Sequence, residues 1–159
     1  MLERSQVLLT FAAAIGSGVV GGVFFAFSTF VMAALGRLPP QQGVDAMNAI
    51  NVTVINPAFM TAFLGTALVC LILGLGAAFH LDQARGPLIL AASLIYLVGC
   101  FGVTMVFNVP LNDRLAAVGP AQAADLWALY LRDWTLWNHV RTAAPVFSAV
   151  LFILALRQR

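Results

Sequence analysis

The side chains of this sequence that could do chemistry are few, and most lie near the ends of long apolar stretches. The richest segment is Trp134-Thr-Leu-Trp137-Asn138-His139-Val-Arg141. Helical spacing places its two tryptophans, Asn138 and Arg141 on one stripe, where a guanidinium could bind an anion and indoles could hold a flat ring. His139 is turned about 100° from Asn138 in a helix. It is nevertheless the only imidazole near this end, and therefore the candidate general base.

Asparagines accompany the other apolar stretches. Asn51 and Asn56 precede the second stretch, and Asn108 and Asn112 close the third, with Pro110 between them. Each alone has an ordinary explanation as a helix cap, so the case for function depends on their convergence. The predicted catalytic residues are His139, Arg141 and Asn138, and the predicted substrate-binding residues are Asn51, Asn56, Asn108, Asn112, Trp134 and Trp137.

The elements that must position these residues are membrane helices. Of the 159 residues, 62% are hydrophobic and only 9% are charged, whereas a soluble domain has about 25% charged residues. A surface with so few charges requires lipid as its main solvent. We predict one integral membrane domain over residues 1–159, with spans at approximately 7–35, 57–79, 88–107 and 134–156.

The fold class predicted is all-α, an antiparallel bundle of four transmembrane helices with amphipathic helices in the 1–2 and 3–4 connections. Pro110 is expected to end the third span. Both long connections lie on one side of the membrane, so the candidate residues converge at one mouth of the bundle. The first apolar run exceeds the h-region of a signal peptide and is read as a retained helix. We place the protein in the bacterial cytoplasmic membrane with both termini cytoplasmic, although arginines flank the two sides equally.

Two glycine and cysteine patterns are better explained by packing than by chemistry. Residues 16–21 match the dinucleotide fingerprint GxGxxG, but they lie inside an apolar run without the required strand or downstream acid. Gly18 and Gly22 are expected instead to form a face that lets helices approach closely. Cys70 and Cys100 lack CxxC spacing and are expected to be buried structural thiols.

The sequence predicts no metal and no other cofactor. His80 lies at the end of the bundle opposite His139, which excludes a haem shared by the two, and no HxxH or ExxH spacing occurs. No basic cluster exists to bind nucleic acid. The expected partners are the lipid bilayer and a small lipophilic aromatic ligand; homo-oligomerisation is left open. A transporter is disfavoured because no charge lies at mid-membrane.

Five motifs together resemble the DUF1772 family of small membrane proteins, which includes the fungal anthrone oxygenases. The motifs are Phe24-Phe-Ala-Phe-Ser-Thr-Phe30-Val-Met, Leu38-Pro-Pro, Ala49-Ile-Asn51 before Asn56-Pro57, Asn108-Val-Pro-Leu-Asn112, and the segment from Trp134 to Arg141.

The resemblance implies a four-span oxidoreductase that oxidises an anthrone-like or other lipophilic aromatic substrate with molecular oxygen. A substrate that forms a stabilised carbanion can reduce oxygen without a cofactor. The protein would then supply a base, donors to the developing enolate oxygen and a dry apolar cavity. The alternative is a non-catalytic membrane protein that binds a lipid or quinone, or supports a partner protein.

Overall fold

The computed structural model describes residues 2–158, which form five helices and, within that range, no strands. Two helices are regular throughout: α2 spans Pro40–Thr53 and α3 spans Pro57–Ala78. A 3₁₀ turn at Pro120–Gln122 leads into α5, which spans Ala123–Leu156. The two remaining helices, α1 and α4, contain π-helical segments.

Helix α1 is α-helical over Leu2–Ala26, π-helical over Phe27–Val31 and α-helical again over Met32–Leu35. Helix α4 comprises, in order, an α-helical part, two π-helical parts and a final α-helical part: Gly86–Tyr96, Leu97–Gly102, Thr104–Asn108 and Val109–Ala116.

Four of these helices are long and apolar enough to cross a membrane. Helix α1 packs against α3 and α5, and α4 packs between α3 and α5, so neighbouring spans run antiparallel around a ring. Large apolar side chains on the outside of the ring, such as Leu8 and Phe147, are exposed and suit contact with acyl chains. The predicted all-α bundle of four membrane helices is confirmed, with α2 in the 1–2 connection, and the helix predicted in the 3–4 connection is the first part of α5. We call the side of these connections the loop side and the other the turn side.

The prediction that Pro110 ends the third span is wrong. The helix continues to Ala116, and Pro110 lies in the first turn after a π-helical segment. A proline is tolerated there because the helical ladder is already rearranged at this point. Three spans are likewise longer than expected: Arg4–Leu35, Gly86–Ala116 and Pro120–Leu156. Whether residues 1–159 form a single domain stays a prediction.

The π-helical segments satisfy their backbone with threonine hydroxyl groups. Thr29 Oγ1 donates to the Phe25 carbonyl at 2.7 Å, and Thr104 Oγ1 donates to the Cys100 carbonyl at 2.8 Å. In a π-helix the amide bonds the carbonyl five residues back instead of four, so a carbonyl can be left for a side chain. The hydroxyl groups therefore satisfy polar groups that would be unpaired in an apolar medium.

The helices approach closely at glycines other than those predicted. A Cβ at Gly18 or Gly22 would meet no atom within 4 Å, so the prediction that these two form the packing face is wrong within this chain. A Cβ at Gly21 would lie 3.1 Å from Val146 of α5, and one at Gly16 would overlap Thr66 of α3. The rotation of α1 is thus set by its contacts with these two helices.

Besides the core between the four spans, a separate hydrophobic core lies on the loop side of the bundle. It comprises Met32, Val44, Met47, Leu115, Ala123, Trp127, Tyr130 and Trp134, and we call it the roof. Helix α5 has 34 residues, about 51 Å of helix, so about 20 Å of it extends beyond a ~30 Å hydrocarbon core. Helix α2 packs against this extension, and Gly43 allows the contact because a Cβ there would lie 2.5 Å from the Trp127 ring.

Candidate functional site

A cavity of about 420 Å³ lies between the roof and the bundle, which is within the usual range for a small-molecule site. All five helices contribute to its wall. Its apolar lining residues are Val23, Phe24, Phe27, Met47, Ile50, Val54, Ile55, Phe59, Met60, Phe63, Leu64, Phe101, Met105 and Val109. Its other lining residues are Asn51, Thr104, Asn112, Trp134 and Arg141.

Arg141 supplies the only charge among the lining residues. Its side chain is 4% exposed, and its guanidinium carbon lies 4.4 Å from the Phe24 ring centroid and 4.7 Å from that of Trp134. Arg141 lies fifteen positions before the end of α5 at Leu156, which is about 22 Å of helix. In a ~30 Å hydrocarbon core that begins at this turn-side end, the charge lies about 8 Å inside the loop-side boundary.

The guanidinium has no carboxylate partner among the described residues. Only Nη2 forms a hydrogen bond, to Asn138 Oδ1 at 2.9 Å, while Nε is buried without an acceptor. A buried cation normally has an anion and acceptors for its remaining N–H groups, because an unpaired charge in an apolar medium is costly. An anionic oxygen of a ligand would supply both.

Asn138 fixes the position of this guanidinium. It is fully buried, and its amide nitrogen donates to the Phe24 carbonyl and to Ser28 Oγ, both at 2.8 Å. Because both N–H groups are used, the amide oxygen must face Arg141. Asn138 does not itself line the cavity, so the structure places this predicted catalytic residue behind the charge.

Asn112 presents an amide to the cavity. Its oxygen accepts from Tyr130 Oη at 2.7 Å and from Trp134 Nε1 at 2.9 Å. Since the indole can only donate, the oxygen faces these two groups, and the amide nitrogen forms no hydrogen bond within the described residues. Asn51 lines the cavity from the roof helix α2, and its own amide nitrogen is buried without a partner.

His139 does not line the cavity. Its side chain is exposed on the outer face of α5, and Nδ1 lies 3.0 Å from Ser28 Oγ. Thr142 donates its hydroxyl proton to the Asn138 carbonyl, so Ser28 must donate to Thr142, and His139 Nδ1 must be the donor to Ser28. The amide of Asn138 separates this group from Arg141 and cannot relay a proton. The geometry gives the predicted base no contact with the cavity.

The other predicted substrate-binding residues also lie outside the lining. Asn56 caps α3 by accepting from the Phe59 amide at 3.0 Å. Asn108 is fully buried and donates to the Trp134 carbonyl at 3.1 Å, while Trp137 stacks on Phe107 with ring centroids 3.6 Å apart. Thus Asn51, Asn112, Trp134 and Arg141 converge on one cavity, whereas these three residues take structural positions.

The predicted aromatic contact is carried by Trp134 alone, and four phenylalanines complete the aromatic wall. Phe24 and Phe27 lie on α1, and Phe59 and Phe63 lie on α3. The rings of Phe59 and Phe63 stack with centroids 5.9 Å apart, and Phe24 meets both edge-on. The signal available in the sequence was their spacing of four residues, which places them on one helical face.

Among residues 2–158, no group of three or more His, Cys, Asp or Glu side chains is placed to hold a metal ion. Cys70 and Cys100 are buried free thiols in the bundle core. The prediction that the protein uses no cofactor stays a prediction.

A profile of the anthrone oxygenase family, the DUF1772 family, matches residues 59–151. The chain belongs to this family. No curated protein and no solved structure matched the chain.

The part matched by the anthrone oxygenase profile carries Asn112, Trp134 and Arg141. The remaining wall, from Phe24 and Phe27 of α1 to Asn51 of α2, lies outside the matched residues. The family assignment therefore covers the charge and one amide of the site, but not the roof helix that closes it.

The assembled cavity suits a ligand with a flat apolar body and one ionised oxygen. The aromatic side chains provide stacking surfaces, and Arg141 provides a cation with no carboxylate partner among the described residues and one hydrogen bond, to Asn138. In a medium of low dielectric, such a group stabilises an anion far more than it would in water.

Proposed function

We propose that this member of the anthrone oxygenase family oxidises a lipophilic hydroxyaromatic compound of the anthrone type with molecular oxygen. The observation that carries the proposal is the lone guanidinium of Arg141 in the wall of an aromatic cavity. The substrate meets this description after it loses one proton, because its negative charge is then shared between the ring carbon and the carbonyl oxygen.

The reaction balances with oxygen as the only oxidant. Loss of one proton from the CH₂ carbon gives the delocalised anion, whose oxygen is held by Arg141 and the amide of Asn112. The anion carbon gives its electron pair to O₂ and forms a C–O bond, and protonation yields the hydroperoxide. The O–O bond then breaks and the remaining C–H proton leaves, which releases water and forms the second carbonyl. The sum is anthrone plus O₂ to anthraquinone plus water.

No lining residue is an Asp, Glu or His, so we assign the first proton to a water molecule inside the cavity. Arg141 promotes this ionisation by stabilising the product anion, which is the transition-state complementarity that accelerates a reaction. The cavity also excludes bulk water from the reacting carbon.

The test uses the full chain in lipid nanodiscs with 1,8-dihydroxy-9-anthrone. We expect anthraquinone to form rapidly in air and not under argon, with one O₂ consumed per quinone and one ¹⁸O atom incorporated from ¹⁸O₂. Arg141→Met should lose most of this activity. Arg132→Met serves as its matched control, because Arg132 is an exposed arginine of the same helix that pairs with Asp133. Equal rates with and without protein would refute the proposal.

A second candidate is a non-catalytic protein that binds an ionised lipophile. The absence of a side-chain base among the lining residues favours it. It predicts that a hydroxyanthraquinone raises the melting temperature of the wild-type protein while 1,8-dihydroxy-9-anthrone is oxidised no faster than in empty nanodiscs.

A further inference from the structure

The roof closes the cavity towards water on the loop side. Met47 of α2 is 1% exposed and Leu115 of α4 is fully buried, and both pack with the aromatic side chains of α5. Helix α2 contacts the extension of α5 and the end of α4, which holds the roof in place. A ligand that came directly from water would have to displace these buried side chains.

Between α3 and α4, in contrast, the cavity is not closed by packed helices. On the turn side the two helices pack closely, up to the bond from Tyr96 Oη to the Phe63 carbonyl at 3.0 Å. Beyond Leu97–Gly102, α4 diverges, and neither Thr104–Asn108 nor Val109–Ala116 forms a packed interface with α3. The helices therefore leave a gap that begins after the first π-helical segment, Leu97–Gly102.

The rim of this gap is apolar and exposed, and it is also the wall of the cavity. Leu64 of α3 is 45% exposed, Met105 of α4 is 50% exposed, and Ile55 before α3 is 71% exposed. All three line the cavity. Leu64 lies seven residues into α3, which is about 10 Å below its loop-side end. The gap thus reaches from the headgroup region into the hydrocarbon.

We propose that the cavity opens sideways into the bilayer through this gap, which we call the portal, and that its ligand reaches Arg141 from the acyl phase. A hydroxyaromatic ligand partitions at the headgroup boundary, where the portal begins, and can slide inwards with its ring plane between α3 and α4. The portal depends on the proposed function only for the identity of the compound that passes through it.

The test needs neither ligand nor turnover. In a Trp127→Phe/Trp137→Phe background, Trp134 is the sole tryptophan, and it is 4% exposed at the inner wall. We expect its fluorescence to be quenched in nanodiscs of phospholipid brominated in mid-chain, because acyl chains enter the portal, and not by aqueous iodide. Equal or stronger quenching by iodide would show an opening to water, and quenching by neither would show a closed cavity; either result overturns the proposal.

Two double variants locate the route. Leu64→Phe/Met105→Phe fills the rim, and we expect it to lower quenching by brominated lipid about twofold, because a filled gap excludes acyl chains. Leu68→Phe/Val98→Phe adds at least as much bulk at exposed positions of the same two helices outside the lining, and should leave quenching unchanged. Equal effects of the two variants would contradict the portal. These results stand whether or not 1,8-dihydroxy-9-anthrone is oxidised, so failure of the portal and failure of the oxidation are distinguishable.

Discussion

Replacement of Arg141 by methionine separates a functional charge from a structural one. The side chain contributes one hydrogen bond to Asn138 and lies over the rings of Phe24 and Trp134. An arginine this deep in a membrane stabilises the protein only if the free energy gained from these contacts exceeds the cost of desolvating the guanidinium. We expect Arg141→Met to abolish most activity and to change stability little.

The magnitudes of the stability terms nearly cancel. Placing arginine inside the hydrocarbon costs about 3 kcal/mol on insertion scales. Two cation–π contacts return about 1 kcal/mol each, and a charge-assisted hydrogen bond returns about 2 kcal/mol. Arg141→Met removes the desolvation cost together with these contacts. It leaves the Asn138 oxygen without a partner but fills the space with an apolar side chain. The free energy of unfolding should therefore shift by no more than about 1–2 kcal/mol.

The activity should respond differently, because the same charge stabilises the anion that forms during the reaction. Loss of one such donor typically lowers kcat by about 10² to 10³. The assay is quinone formation from 1,8-dihydroxy-9-anthrone together with a thermal melt of each variant. Arg141→Lys, which keeps the charge and loses the planar fork, should fall between the wild type and Arg141→Met. An Arg141→Met protein that melts far below the wild type yet oxidises the anthrone at the wild-type rate would refute the reasoning.

Three further predictions test the placement of individual side chains. His139→Ala should reduce kcat by less than about threefold because the ring lies outside the cavity; a loss near the 10² of a general base would restore His139 to that role. Trp134→Phe removes the donor to Asn112 and should weaken binding of a hydroxyanthraquinone about fivefold. Trp137→Phe should lower the melting temperature and leave that affinity unchanged. Ligand titration and thermal melting of both variants measure these effects. Gly43→Ala should destabilise the protein by about 2 kcal/mol through overpacking against the roof, while Gly18→Ala should be neutral or stabilising; comparable melting temperatures for the two alanine variants would contradict the described packing.

The helices were predictable from sequence because lipid imposes a simple requirement on composition and length. Long apolar runs located the spans, and the prolines at the N-termini of α2 and α3 located the starts of these two helices. The continuation beyond Pro110 was not predictable, since it depends on π-helical segments that leave no clear sequence pattern. The packing role of Gly21 rather than Gly18 was hidden for a related reason, because the rotation of a helix that is apolar on all faces is decided by its neighbours.

The site was predictable to the extent that its residues share a helical stripe. Trp134 and Arg141 are two turns apart and both reach the cavity. Trp137 and Asn138 lie on the same stripe, but the cavity occupies only part of its width, so Trp137 packs on Phe107 and Asn138 lies behind the charge. Asn51 of the roof helix was predicted for the site, but the apolar contribution of Met47 and Ile50 could not be predicted, because it depends on how α2 folds back over the bundle.

The π-helical segment Phe27–Val31 ties the geometry of the cavity to the length of the chain. Each widened turn holds one residue more than an ordinary α-helical turn needs. Deletion of a single residue there would restore regular α-helix and rotate the preceding part of α1 by about 100° around the helix axis. Phe24 would leave the guanidinium, and its carbonyl would leave the amide of Asn138. Deletion of one residue from the first span would therefore change the wall of the cavity more than most side-chain replacements would.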